Sequence, residues 1–281
     1  MPIEKFSISR NDDVYECFPS MTRLANGRVI ITYRESDGHI AKLYTRVILR
    51  TSDDDGKTWS DRHVLVDSVE ADGVLVKYNC PKVQQLKDGR ALIVCDVHPL
   101  PPGEKNANTA EFTHMLWFSD DYGDTWSEPR EILVGGIMPD EVIELANGVW
   151  LLATHGRSPE TGDLAQHVTR SSDKGIIWGA PVVVAARDTF KFCEASIILL
   201  PGGELVCYMR ENSGLGLPNY KCISKDNGLT WQTYSIQNST SIPEVVWDIE
   251  VAPDLTGSIL ARAVDVAGNR SRVVMFVGAV K

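Results

Sequence analysis

Ser119-Asp120-Asp121-Tyr122-Gly123-Asp124-Thr125-Trp126 decides how the rest of the chain reads, because the sequence writes this octet four times. The pattern Ser-x-Asp-x-Gly-x-Thr-Trp recurs as Ser52, Asp54, Gly56, Thr58 and Trp59, and again as Ser224, Asp226, Gly228, Thr230 and Trp231. The fourth copy, Ser171-Ser172-Asp173-Lys174-Gly175-Ile176-Ile177-Trp178, differs in carrying Ile177 where the others have Thr. These are the residues of a tight β-turn. The Asp accepts hydrogen bonds from N–H groups of its own loop, the Gly takes a positive φ, and the Trp anchors the turn on a sheet.

A second repeat interleaves with the octets: an apolar strand, a turn ending in Gly, and another apolar strand. Its copies are Pro19–Gly27, Pro81–Gly89, Asp140–Gly148, Ala195–Gly203 and the weaker Ile249–Gly257, so the turn glycines advance by 62, 59, 55 and 54 residues. Asn-Gly and Asp-Gly between β-rich runs are the strongest short hairpin signal, and no long helical periodicity competes with it. Each unit therefore reads as a four-stranded antiparallel blade: hairpin, third strand, octet turn, outer strand. The fold expected is all-β, a β-propeller of five blades, with six as the alternative. The fifth unit has a hairpin over 246–264 and a third strand over 272–280, and lacks room for a fourth strand. Glu4–Arg10, which has no blade of its own, is expected to supply that strand and close the ring.

A repeat running end to end predicts a single domain over 1–281. The net charge of −10 and pI near 5.1 argue against nucleic acid or an anionic membrane as partner. No apolar run reaches membrane-spanning length, and Met1–Phe6 lacks the apolar core of a secretory leader. Four of the six cysteines lie in or beside apolar strand-like runs, which predicts reduced, buried thiols and a cytoplasmic protein, or a secreted one if a leader was removed. An acidic propeller with exposed rims could also pair into an oligomer.

In a propeller the first strand of each blade begins, and the second ends, at the same mouth of the central channel. Counting nine residues back from each turn glycine gives Phe18, Cys80, Pro139, Glu194 and Asp248. Counting seven forward gives Arg34, Asp96, His155 and Arg210, with Asp265 after a slip of one at the weak repeat. Neighbouring text adds Asp37, His39, His98, Asp140 and Glu141. Carboxylates and guanidiniums converging on one pocket suit carbohydrate chemistry.

The octets are Asp-boxes, and with them the chain resembles the sialidase (BNR-repeat) superfamily. That resemblance implies a glycosidase and sharpens individual positions. Glu194 and Arg210, at the two ends of one hairpin, resemble the family's glutamate that partners the nucleophile and its arginine that binds the substrate carboxylate. Asp37 stands where the family has its acid/base aspartate. Arg272 is nearest to the last substrate-binding arginine, with Arg262 and Arg270 as rivals. Two departures stand out. Cys17-Phe18-Pro19 replaces the family's Arg-Ile-Pro, and no tyrosine follows Tyr234 to serve as the catalytic tyrosine.

The expected activity is therefore glycoside hydrolysis of an acidic or unusual sugar by a carboxylate pair. Asp37 would protonate the leaving oxygen, and Glu194 or Asp248 would act as base or nucleophile. Arg34, Arg210 and Arg272 would bind substrate, with Asp96, His155 and Glu141 as wall residues. Carboxylates about 5–5.5 Å apart would retain configuration, and roughly 6.5–9.5 Å would invert it. No cofactor is expected, and the scattered histidines have no metal-ligand spacing. Two rivals use the same pocket. One is a polysaccharide lyase with His155 and Tyr33 or Tyr208 as base; the other is a non-catalytic glycan-binding propeller.

Overall fold

The computed structural model describes residues 6–71, 73–100, 112–137, 139–158, 160–217 and 220–235, and the backbone of 245–249 and 259–263. The chain divides into two compact units, Met1–Ser235 and Ile236–Lys281.

Among the described residues the first unit is a β-propeller with four blades. Blade one is β1 (Tyr15–Arg23), β2 (Val29–Ser36), β3 (Thr45–Ser52) and β4 (His63–Asp67), paired in chain order. Blade two begins with a hairpin absent from the repeat, β5 (Val69–Ala71) and β6 (Val74–Tyr78). It continues with β7 (Lys82–Gln85), β8 (Ala91–Leu100), β9 (Thr113–Ser119) and β10 (Arg130–Ile132). The near half of β8 pairs with β7 and its far half with β6. Blade three is β11 (Ile143–Glu144), β12 (Trp150–Arg157), β13 (Leu164–Ser171) and β14 (Val182–Ala185). Blade four is β15 (Phe192–Leu199), β16 (Leu205–Glu211), β17 (Tyr220–Ser224) and β18 (Gln232–Ser235). In the second unit, β19 (Val245–Ile249) and β20 (Ile259–Ala263) form an antiparallel hairpin.

Each octet joins the third strand of its blade to the fourth, and its Ser is the last residue of the third strand. Two successive residues take positive φ: Asp55 and Gly56, Tyr122 and Gly123, Lys174 and Gly175, Asn227 and Gly228. The left-handed conformation is thus shared by the Gly with the residue before it. The Ser Oγ accepts the Gly N–H at 2.7–2.9 Å in all four copies. The Asp accepts the N–H four residues on at 2.8–2.9 Å. In three copies the Thr hydroxyl also donates to the Asp, and that bond leads the causes that hold Asp54, Asp121 and Asp226 at a pKa of about 2. Asp173 lacks this hydroxyl and is lowered chiefly by the Ile177 N–H. A Cβ on Gly123 would stand 2.5 Å from Ile30 Cδ1 of blade one, at a φ of 86° that already strains any side chain.

Strands β8 and β12 are buried on both faces and alternate between neighbouring cores. Ile93, Cys95 and Val97 of β8 pack with Ile30, Val47 and Leu49 of blade one, whereas Leu92 and Val94 pack with Trp150 and Leu152 of blade three. Leu151 and Ala153 then join Leu205, Cys207 and Met209 of blade four. Side chains sew the first strands together. The Val83 N–H donates to Ser20 Oγ at 3.1 Å, and Gln84 exchanges two bonds with Val142 at 2.6 and 2.8 Å. The Ile197 N–H donates to Asp140 Oδ2 at 2.8 Å.

The described part of the expected N-terminal strand, 6–10, forms no strand. Ser9 is held instead by side chains, donating to Glu16 Oε1 at 2.6 Å and accepting from the Tyr33 hydroxyl at 3.2 Å. The third strand expected over 272–280 lies outside the described residues. All six cysteines are free.

Candidate functional site

The first strands of blades one and four share a distortion. Their registers break between Cys17 and Ser20, and between Cys193 and Ser196, as β-bulges. Within them Phe18 and Glu194 adopt left-handed backbone, with φ of 54° and 51°. These are the two non-glycine residues that lie nine positions before Gly27 and Gly203. A residue with a Cβ holds this conformation at a cost of about 1–3 kcal/mol, and such strain collects at functional sites.

Glu194 is fixed on three sides: by its bulge, by its backbone N–H donating to His155 Nδ1 at 3.2 Å, and by Arg210 Nη1 donating to its Oε2 at 2.8 Å. Carboxylate and guanidinium both reach solvent, with side-chain exposures of 40% and 53%. The ion pair holds Arg210 above its ordinary range. His155 is buried, which pulls its pKa down to about 4 against the opposing charges of Glu194 and Asp96. It is therefore neutral near pH 7, and because Nδ1 accepts the Glu194 N–H, Nε2 carries the ring proton.

The lone pair that a base would use, on Nδ1, is engaged by the Glu194 N–H. The suggested partner Tyr33 is buried and bound to Ser9 and Arg50. The other suggested partner, Tyr208, is exposed on β16.

Blade one and the extra hairpin of blade two build the other side. Arg34, 3% exposed, donates to Asn79 Oδ1 and to the carbonyls of His39 at 2.7 Å and Gly38 at 3.2 Å. Its guanidinium lies 4.7 Å from the Phe18 ring centroid. Asn79 Nδ2 passes the network on to Asp96 Oδ2 at 3.0 Å, and Asp96 Oδ1 accepts the Cys80 N–H at 2.7 Å. Arg34 and Asp96 are thus joined through Asn79 in one internal network.

Asp37 is also otherwise engaged. Its carboxylate accepts the N–H groups of Lys42 at 2.9 Å and Leu43 at 3.2 Å. Burial pushes its pKa up, but these backbone bonds outweigh it and the net shift is downward. The loop thus holds Asp37 on the side of its ionised form. Glu141 shifts the other way: its carboxyl is raised by its protein surroundings and by Asp140, with Lys82 opposing. Asp140 is raised by burial. The side chain of Asp248 is outside the described residues, although its backbone pairs with Leu260 in β20. Arg272 and Arg270 lie outside the described residues, and Arg262 is described as backbone only.

Lys77 escaped the sequence reading. It comes from β6, opposite His98, and buries its ammonium against the Ala41 carbonyl at 2.6 Å. Burial, reinforced by Arg34 and opposed by Asp37, lowers its pKa. The available signal was Asp72-Gly73 between Val69-Glu70-Ala71 and Val74-Leu75-Val76, an Asp-Gly hairpin outside the repeat. His98 is stacked on Phe112 with ring centroids 4.5 Å apart. Both its nitrogens are buried without a partner among the described residues, and burial brings its pKa to about 4.

Comparison with known structures gives the fold its relatives. A protein of unknown function from Dyadobacter fermentans superposes with a TM-score of 0.66 at 22% identity, over 91% of this chain and 77% of that one. The NanB sialidase from Streptococcus pneumoniae gives 0.62 at 13% identity over 98% of this chain, which spans 63% of the sialidase. A family 117 glycoside hydrolase from Zobellia galactanivorans gives 0.56 at 12% identity, over 81% and 72% of the two chains. No curated protein matches the sequence significantly. The model of the BNR repeat-like domain matches residues 46–251, most of the chain, and the protein belongs to that family.

Proposed function

We propose that the protein is a glycoside hydrolase whose reaction centre is Glu194. The Glu194–Arg210 ion pair at the channel mouth carries the reading. A carboxylate held by a strained backbone, a neutral imidazole and a guanidinium is preorganised for displacement at an anomeric carbon. Glu141 takes the place of Asp37 as proton donor, because its surroundings favour the protonated carboxyl. In the proposed step Glu141 gives its proton to the leaving oxygen. Glu194 attacks the anomeric carbon as its bond to that oxygen breaks, and water then hydrolyses the glycosyl-enzyme; in the alternative, Glu194 deprotonates a water that attacks directly. The fifth turn at Gly257 and the β19–β20 hairpin support reading 236–281 as a fifth blade.

A non-catalytic glycan-binding propeller is the second reading, favoured by the capture of Asp37 within its own loop. Hydrolysis of a panel of aryl glycosides by wild type, Glu194→Gln and Glu141→Gln separates the two. Release from one substrate, abolished by Glu194→Gln with circular dichroism unchanged, establishes a glycosidase and identifies its sugar. Silence across the panel, with the variants equally folded, moves the reading to the binding module.

A further inference from the structure

The mouth has an aromatic half as well as a charged one. Phe18 occupies in blade one the bulge that Glu194 occupies in blade four. His39 packs against it at 5.8 Å between ring centroids and meets Tyr15 edge-on at 5.9 Å. The Tyr15 hydroxyl and His39 Nδ1 are joined at 3.2 Å. The loop bearing His39 is held in place by cations gripping its carbonyls: Arg34 on Gly38 and His39, and Lys77 on Ala41. Tyr15 and His39 are exposed and Phe18 is half-buried, so these rings form a rigid, solvent-facing group.

The charges around it are mixed. Arg34, Lys77 and Arg210 stand with Asp37, Asp96, Glu141 and Glu194, three basic groups against four acidic ones. Arg34 spends its Nη1 and Nη2 donors inside the protein under the Phe18 ring, and Arg210 is paired with Glu194. The position of the family's first carboxylate-binding arginine is Cys17, whose thiol is pushed up by burial against the opposing charge of Arg34. An incoming carboxylate would find Arg34 buried, its Nε without a partner among the described residues, and Arg210, the exposed guanidinium, already paired with Glu194.

We propose that the site takes a neutral pyranoside, its apolar face stacked on Phe18 beside His39 and Tyr15 and its hydroxyls shared between Glu194 and Arg210. Aromatic rings bind the apolar C–H face of a sugar, and a closely paired carboxylate and guanidinium supply an acceptor and donors for vicinal hydroxyls. This rests on the mouth being the binding site, as in the hydrolase proposal, but needs no turnover.

The test is binding of neutral methyl hexopyranosides, N-acetylneuraminic acid and glucuronic acid to the full chain, by saturation-transfer NMR and calorimetry. A neutral pyranoside is expected to receive saturation from aromatic protons and to bind more tightly than either acid. Phe18→Ala is expected to weaken it by about three- to tenfold and Phe18→Trp to retain it. Should Phe18→Ala fail to fold, Tyr15→Ala is expected to weaken binding in the same direction. Tighter binding of the acids, no binding by any sugar, or affinity indifferent to both aromatic positions overturns the proposal. Stacking-dependent binding without hydrolysis would leave it standing while removing the hydrolase.

Discussion

Phe18 and Glu194 hold the same left-handed backbone at the same point of the repeat, 54° and 51°, in blades one and four. One presents a ring to the mouth and the other a carboxylate. The strain is common, and the chemistry it aims is different. Replacing Glu194 by glycine relieves the strain and removes a half-exposed ion pair that contributes little to stability. Glu194→Gly is expected to raise the unfolding free energy by about 1 kcal/mol in urea while eliminating hydrolysis.

Asp37→Asn tests the reassignment of that residue. Asparagine keeps an acceptor for the Lys42 and Leu43 N–H groups. Activity should therefore stay close to wild type, whereas loss of a general acid costs about 10²- to 10⁴-fold. The ratio of kcat/KM between the two proteins reads the difference, and a loss of that size would restore Asp37 as the acid.

The buried histidines make stability depend on pH in a defined window. His155 and His98 both have folded pKa values of about 4, below the 6.5 of an unfolded histidine. Between these values the unfolded chain binds more protons. Stability is complete above pH 6.5 and falls as the pH drops towards 4, by at most about 1.4 kcal/mol per pH unit for each group. Urea unfolding between pH 4.5 and 7.5 measures the slope. His155→Gln, which keeps an acceptor for the Glu194 N–H, should flatten it.

Ile177→Thr restores the hydroxyl missing from the third octet. Asp173 should then fall to the pKa of about 2 shared by Asp54, Asp121 and Asp226. Carboxyl titration by NMR reads the shift. An unchanged Asp173 would show that backbone N–H groups alone saturate the turn.

The blades and the level of the mouth were legible because turn chemistry is local. Ser, Asp and Gly specify the octet wherever they fall, and a hairpin glycine fixes how many residues remain to the strand end. Counting thus placed Arg34, His155 and Arg210 near the ends of their strands, whereas β8 runs four residues past Asp96. It gave positions and not bonds. Whether Arg34 faces a ligand or the carbonyls of Gly38 and His39 depends on a loop that has no period. Asn79 and Lys77 arrive on an inserted hairpin that the repeat does not encode, and the bulges at Phe18 and Glu194 leave no signature in residue type.

The first strands are joined by a hydroxyl at Ser20, an amide at Gln84 and a carboxylate at Asp140, a different chemistry at each junction. A continuous ladder of backbone bonds would fix neighbouring strands at about 4.8 Å. Here the gap is bridged by side chains of unequal length. The girth of the channel is consequently adjustable one residue at a time, with every blade left intact. A scaffold of this kind can be refitted to a wider or narrower ligand by a point substitution at a seam, far from the residues that perform the chemistry.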